Sequence, residues 1–310
     1  MRLQSLTALT LLQALPATTT QLFNFTNYVD IENSQLRPNG HLLLTTFNKA
    51  QLYTLNPYSP TPQAELIAAL PGATALTGIA QIAYDRYAVV GGVRGSYHYD
   101  NETLYAVDLN GVPRVDIIAR IPDAEMLNGM AALPWRPDVV LIADSRLGRI
   151  FRVDTRTGVV EVVFEDQALA APANATLPIG INGLQVFGEF VFFTNSARNT
   201  FARIPVSGDG RVFGSVEVVA KLDAAAGGDD WDDFAFDGEG NAYVAQPGNA
   251  IARIGVDGIQ SIVAGGGDSL DIIGPTSVQI APGGKWAYVT TRGGEENGYT
   301  YSGQVVAVRI

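Results

Sequence analysis

Apolar residues along this chain fall in short runs, and the runs recur in one layout. Ala242 to Ala245 follows the turn-forming Gly238, Glu239, Gly240 and Asn241, and a second run, Ala250 to Ile254, comes next. Pro137 to Asp144 with Gly148 to Val153 has the same design, as does Gly188 to Asn195 with Thr200 to Ile204. Arg37 to Thr45, Tyr84 to Val90 and Gly283 to Val289 open three further copies. The spacing, roughly 45–50 residues, is that of four-stranded propeller blades. Runs rich in Val, Ile, Phe and Tyr and bounded by turn residues read as strands. No helical periodicity follows residue 20. A strand that is apolar on both faces buries itself only by stacking on the next copy. The pattern therefore predicts an all-β, six-bladed propeller as a single domain over residues 20–310. The last copy reaches Ile310 after three strands, while Thr20 to Phe25 has no hairpin partner of its own. That N-terminal strand is expected to close the last blade and remove the open edges.

In such a ring the innermost strands line a central channel. Six polar pairs stand just before the inner strands: Glu32-Asn33, Thr77-Gly78, Asn128-Gly129, Asn182-Gly183, Asp232-Asp233 and Thr276-Ser277. Read as loops, they converge at one mouth, where buried polar groups need water, each other or a ligand. Two connections between second and third strands are long and aromatic, Arg94 to Asn101 and Arg292 to Ser302. They flank blade one, so Tyr97, His98, Tyr99, Tyr299 and Tyr301 are expected as a mobile lid with Phe47 beneath. Trp231, next to the Asp pair, is expected to reach the mouth.

Composition narrows the chemistry. The formal net charge is -11, with no basic cluster, which argues against nucleic acid and anionic membrane surfaces as partners. No run is apolar enough to span a bilayer. Cysteine is absent and the only histidines are His41 and His98. Thiolate chemistry and zinc held by several imidazoles are thereby excluded. Arg2 precedes an apolar run from Leu6 to Leu15, so residues 1–19 read as a weak signal peptide or a short helix. The compartment stays between cytoplasmic and secreted, with the cytoplasm preferred.

Glu32, Asn128-Gly129, Asn182 to Leu184, and Asp232 followed by Gly238 to Ala245 occur in an order and blade spacing that resemble the SMP-30/gluconolactonase/LRE-like family of six-bladed propellers. The resemblance covers residues 20–310. It implies a divalent cation, often calcium, on Glu32, Asn182 and Asp232, with Asn128 holding substrate. Two carboxylates and an amide oxygen are suitable ligands for such a hard cation. The family's lactonases tend to carry Pro-Asp-Gly where this chain reads Trp231, Asp232, Asp233, Phe234. That segment and Glu32 to Leu43 are similar to a fungal branch of the family that includes hetero-Diels–Alderases. Those enzymes join a tropolone quinone methide to a humulene-type terpene in sesquiterpenoid biosynthesis.

Three functions stay open, in this order. The first is a hetero-Diels–Alder cycloaddition of small apolar and aromatic substrates, which requires no cofactor. Its expected catalytic groups are Asn128, Asn182, Asp232, Arg292 and His98. Its expected substrate contacts are Glu32, Phe47, Thr77, Tyr97, Tyr99, Trp231, Asp233, Thr276, Ser277, Tyr299 and Tyr301. The second is a lactonase or esterase using the divalent cation. The third is a binding propeller without catalysis.

Overall fold

A computed structural model describes residues 18–222 and 230–310. Of the N-terminal segment read as leader or helix, all but Thr18 and Thr19 lies outside the described residues. The first strand, β1 (Thr19–Asn24), belongs to the last blade. Blade one comprises β2 (Ile31–Leu36), β3 (Leu42–Thr46), β4 (Gln51–Leu55) and β5 (Ala64–Ala69). Blade two comprises β6 (Ala75–Ala83), β7 (Arg86–Arg94), β8 (Tyr99–Asp108) and β9 (Arg114–Arg120). Blade three follows with β10 (Leu127–Leu133), β11 (Arg136–Asp144), β12 (Arg149–Asp154) and β13 (Val159–Glu165). Blade four holds β14 (Ile181–Phe187), β15 (Phe190–Asn195), β16 (Thr200–Pro205) and β17 (Glu217–Lys221). Blade five holds β18 (Phe234–Phe236), β19 (Ala242–Gln246), β20 (Ala250–Ile254) and β21 (Gln260–Gly265). Blade six starts with β22 (Pro275–Ile280) and β23 (Trp286–Thr291). A small hairpin, β24 (Gly294–Glu296) with β25 (Tyr299–Tyr301), interrupts it before β26 (Gln304–Arg309). Each blade is antiparallel, and the result is the six-bladed all-β propeller that the repeat predicts.

Why the second strand of a blade reads as an unbroken apolar run is clear from its burial. Val139 to Ala143 on β11 are all fully buried, because one face meets blade two and the other meets blade four. Six apolar clusters each sit at one seam between neighbouring blades. At the seam of blades three and four, Leu133, Leu141 and Ile150 pack with Leu184, Val191 and Phe193. Each such side chain contributes about 1.5–3 kcal/mol through burial. No single centre holds the molecule together; the seams do, in series.

Ring closure is by β1 against β26, with Thr19 opposite Val308 and Asn24 opposite Gln304. The Gln304 side-chain amide donates to Gln21 Oε1 at 2.7 Å, and Arg309 N donates to Thr18 O at 3.1 Å.

The six polar pairs are not loops. They are bulges inside or at the start of the inner strands. Register slips between Ile31 and Asn33, Leu76 and Ile79, Leu127 and Met130, Ile181 and Leu184, and Pro275 and Ser277. In blade five, Asp232 N donates to Ala245 O and Ala245 N donates to Asp233 O, so two residues oppose one there too. A bulge turns the side chain of its extra residue out of the pleat, here toward the axis.

The glycines of these pairs have one shared cause. A Cβ on Gly129 would collide with the carbonyl oxygen of Asn182, and one on Gly78 with that of Asn128. On Gly183 it would come within 2.7 Å of Asp233 Cα. Each bulge backbone thus lies directly against the bulge of the next blade.

Candidate functional site

At the bulged end of the channel lies a cavity of about 590 Å³. Its deeper wall is made by the bulges: Glu32, Asn128, Asn182, Asp232 and Thr276. Its rim comes from chain that leaves the second strands or leads into the first. Asp30, Phe47, Arg94, Tyr97, Tyr99 and Arg292 surround blades six, one and two. Met126, Leu177, Ile179 and Pro247 line blades three to five.

Of the residues expected from sequence, the structure brings Glu32, Phe47, Tyr97, Tyr99, Asn128, Asn182, Asp232, Thr276 and Arg292 onto one cavity. The others are elsewhere. The Thr77 hydroxyl donates to Leu127 O at 3.0 Å, bridging blades two and three. Ser277 Oγ shares hydrogens with Ser34 Oγ and Thr290 Oγ1, at 2.8 and 2.7 Å, bridging blades six and one. Asp233 accepts from the Asn33 amide across the channel floor and from Phe234 N. These three polar side chains brace the ring. Trp231 is fully buried among Phe192, Phe201 and Phe234 and does not reach the mouth.

The expected lid is also different. Arg94 pairs with Tyr99, which reduces the blade two connection to a tight turn over 95–98, with Gly95 N donating to His98 O. His98 is half exposed and turns to Asp100 at 3.1 Å, away from the cavity. The long blade six connection folds on itself as β24 and β25, leaving Tyr299 exposed and neither Tyr299 nor Tyr301 on the lining. Of the expected aromatic cover, Phe47, Tyr97 and Tyr99 line the cavity, with Phe47 and Tyr99 meeting edge to face at 6.0 Å.

Sequence reasoning missed Asp30, Arg94, Met126, Leu177, Ile179 and Pro247 as site residues. Most lie just outside a polar pair or just past a second strand, so the same ring geometry points to them. Leu177 and Ile179 gave no signal, because an isolated apolar residue in a loop has no period to reveal its facing.

The electrostatics of the wall are unusual. Burial pushes Asp30 up to about 6, against Arg94 and Arg292. Burial, then the charge of Asp30, raises Glu32, with Arg292 opposing. Asp232 is raised by burial and then by Glu32, again against Arg292. Carboxyls so crowded gather fewer negative charges than their number suggests.

Asn182 is fixed by its Nδ2, which donates to Ser196 Oγ at 2.9 Å, and that hydroxyl donates in turn to Trp231 O. The Asn182 amide oxygen has no hydrogen-bond donor among the described residues. Glu32, Asp232 and that oxygen form a hard donor set that fits a cation such as calcium. Among the described residues, no group of three or more His, Cys, Asp and Glu is placed to hold a metal.

Fold and site together define a six-bladed propeller with a partly polar cavity at one channel mouth. Solved structures share that fold. Regucalcin from Agrobacterium tumefaciens, titled a calcium-binding protein, superposes with a TM-score of 0.68 at 17% identity, covering 94% of both chains. Luciferin-regenerating enzyme gives 0.69 at 14% identity over 95% of both chains. Sequence relatives carry a different name. A protein from Phoma sp named "Putative hetero-Diels-Alderase" is 29% identical over 288 residues, 83% of this chain and 80% of its own. Another, "Putative hetero-Diels-Alderase asR5" of Sarocladium schorii, is 28% identical over 295 residues, 83% of this chain and 73% of its own. No protein-family model matches the chain. The resemblance read from the residues thus stands on two supports: solved structures for the fold, sequence relatives for the hetero-Diels-Alderase name.

Proposed function

We propose that this protein is an enzyme that catalyses an intermolecular hetero-Diels–Alder cycloaddition in the cavity at the channel mouth. The observation that carries the reading is that two relatives bearing that name align along most of the chain. The cavity is compatible with it. Its volume, about 590 Å³, lies within the range of about 300–1,000 Å³ of small-molecule sites.

The reaction closes a six-membered ring from a conjugated C=C–C=O unit and an alkene. One C–C and one C–O bond form, three π bonds become one, and no proton, electron or leaving group departs. Such chemistry needs no nucleophile, which suits a chain without cysteine and with His98 turned away. It needs two partners held in register, and orientation alone supplies up to about 7–11 kcal/mol. A hydrogen bond from Asn128 or Arg292 to the carbonyl oxygen stabilises charge that builds there in the transition state. Aromatic walls exclude water, which otherwise adds to a reactive quinone methide. The substrates we infer are a tropolone quinone methide and a humulene-type terpene. Purified protein mixed with a quinone methide precursor and humulenol should raise the rate and stereoselectivity of adduct formation over buffer. Equal rate and equal isomer ratio reject the reading.

A second reading is favoured by the oxygen donors on Glu32, Asn182 and Asp232: a metal-dependent lactonase. A bound dication would polarise a carbonyl and acidify water. Asn182 would be held for it by Ser196, with Glu32 and Asp232 supplying the charge. Lactone hydrolysis that EDTA abolishes and calcium restores supports this reading; cycloaddition indifferent to EDTA excludes it.

A further inference from the structure

Several arginines in this fold are well partnered. Arg37 grips Asp85 with two bonds of 3.0 and 2.6 Å, and Arg203 grips Glu217 with bonds of 2.9 and 2.8 Å. Arg198 donates to two backbone carbonyls at 2.9 and 2.8 Å. Arg94 is different. Its guanidinium lies over the Phe47 ring, 3.8 Å from the centroid, on the cavity wall. Its nearest carboxylate oxygen, on Asp30, is 4.0 Å away. Among the described residues its side chain makes one hydrogen bond, a long one of 3.4 Å to Phe47 O. A guanidinium has five N–H donors in a fixed plane. Here the aromatic ring holds that plane while most of its donors stay unspent.

The rim around Arg94 is not uniform. Going round the ring, Arg292 of blade six, Phe47 of blade one and Arg94 of blade two are consecutive. The opposite arc, blades three to five, presents Met126, Leu177, Ile179 and Pro247. Both arcs carry polar groups at depth, and Asp30 and Asp230 stand near the rim, but only the first offers cationic donors beside an aromatic face, while the aliphatic side chains Leu177 and Ile179 are on the second. A cycloaddition joins two partners that differ in this same way, one conjugated and oxygen-bearing, one a hydrocarbon alkene.

Resting on the cycloaddition reading, we propose that Arg94 is a catalytic and specificity-determining residue that donates to the oxygen of the conjugated partner, seated on the Phe47 side, while the alkene packs against the Leu177 and Ile179 side. Arg292, from blade six on the other side of Phe47, bounds the same seat. Stacked on Phe47, Arg94 brings its donors pre-oriented, so less freedom is lost on binding than for a free side chain. Its hydrogen bond strengthens as charge gathers on the reacting oxygen. The two arcs fix which face of each partner meets the other, and therefore which stereoisomer forms.

The test uses the full chain in EDTA, so that no cation contributes, with each partner varied separately. Arg94→Met keeps the apolar stem over Phe47 and removes the charge; Arg94→Lys keeps the charge and loses the planar fork; Leu177→Ala opens the other arc. Arg94→Met should lower kcat/KM for the conjugated partner at least about tenfold while leaving KM for the alkene unchanged. Arg94→Lys should restore only part. Leu177→Ala should raise KM for the alkene alone. Both Arg94 variants should unfold at the wild-type temperature. Equal kinetics of Arg94→Met and wild type, or equal loss for both partners, overturns the inference. Calorimetric titration with tropolone, an inert conjugated ring carbonyl, separates this from the underlying reading. Binding to wild type that weakens at least about fivefold in Arg94→Met supports the role of Arg94 even if wild type accelerates no cycloaddition. Equal affinity, or no binding to wild type, overturns it. Acceleration by wild type with no Arg94 effect leaves the cycloaddition standing and removes Arg94 from it.

Discussion

Tyr99 is buried, and its hydroxyl finds no hydrogen-bond partner among the described residues. Its ring is fixed all the same. Tyr99 N donates to Glu125 O, the ring edge meets Phe47, and a Cβ on Gly92 would lie 3.0 Å from the Tyr99 Cβ. The fold therefore makes room for the ring and leaves the oxygen unsatisfied. An unpaired buried hydroxyl is a cost that its removal relieves. Tyr99→Phe should unfold at the same temperature as wild type or above it in a calorimetric scan. A lower temperature would mean that the hydroxyl has a partner. Gly129 gives the opposite expectation. Its Cβ space is filled by the Asn182 carbonyl, which is backbone and cannot swing aside. Gly129→Ala should lose about 1–3 kcal/mol in urea unfolding, the range for overpacking. In the sequence, Asn128-Gly129 marked a polar position correctly, yet the reason for the glycine was invisible there. It lies in the neighbouring blade.

Among the elements, legibility followed burial. Second strands such as Val139 to Ala143 are apolar on both faces, so composition alone marks them and their spacing counts the blades. Bulges were read as loops because a register slip of one or two residues leaves no trace in the apolar pattern; only the paired strand shows it. The blade six connection looked like a lid because it is long and aromatic, with Tyr299 and Tyr301 among glycines. In the fold, β24 and β25 satisfy each other's backbone and project outward. The closing strand was legible for a simpler reason, since β26 needs an outer partner and only the N-terminus is left to give one. That dependence is testable. Deleting residues 1–25 removes every pairing of β1 with β26, and the hydrogen bond from Gln304 to Gln21. The bare β26 then presents an unpaired edge next to the seam of blades six and one. The truncated chain should unfold at a lower temperature and elute as larger species in size-exclusion chromatography. A monomer of wild-type stability would show that the ring closes without β1.

Across the whole molecule, the channel gathers acidic groups whose protonation opposes that of the turns. Asp30 and Asp233 are raised to about 6, each chiefly by burial, from a value of 3.8. Burial also raises Glu32, Asp232 and Glu102. Between the unfolded and folded values, the folded chain binds the extra proton. Stability therefore falls as pH rises through that interval, from about 4 to about 6 for Asp30 and Asp233 and further for the rest. Turn carboxylates run the other way. Burial tends to raise Asp154 and Asp237, but hydrogen bonds from nearby backbone N–H groups, and from Asn241 for Asp237, outweigh it and hold both low. Their contribution is present above the unfolded value of 3.8 and is lost as pH falls below it. The two sets together place maximal stability on the acid side of neutrality. Unfolding temperatures measured from pH 4 to pH 9 should decline steadily above that maximum. Asp233→Asn should flatten the part between pH 4 and 6, because the neutral amide no longer exchanges a proton there while Phe234 N keeps an acceptor. A chain that grows more stable up to pH 8 would mean that these carboxyls stay charged in the fold. The channel would then hold its negative charge on guanidinium or bound cations.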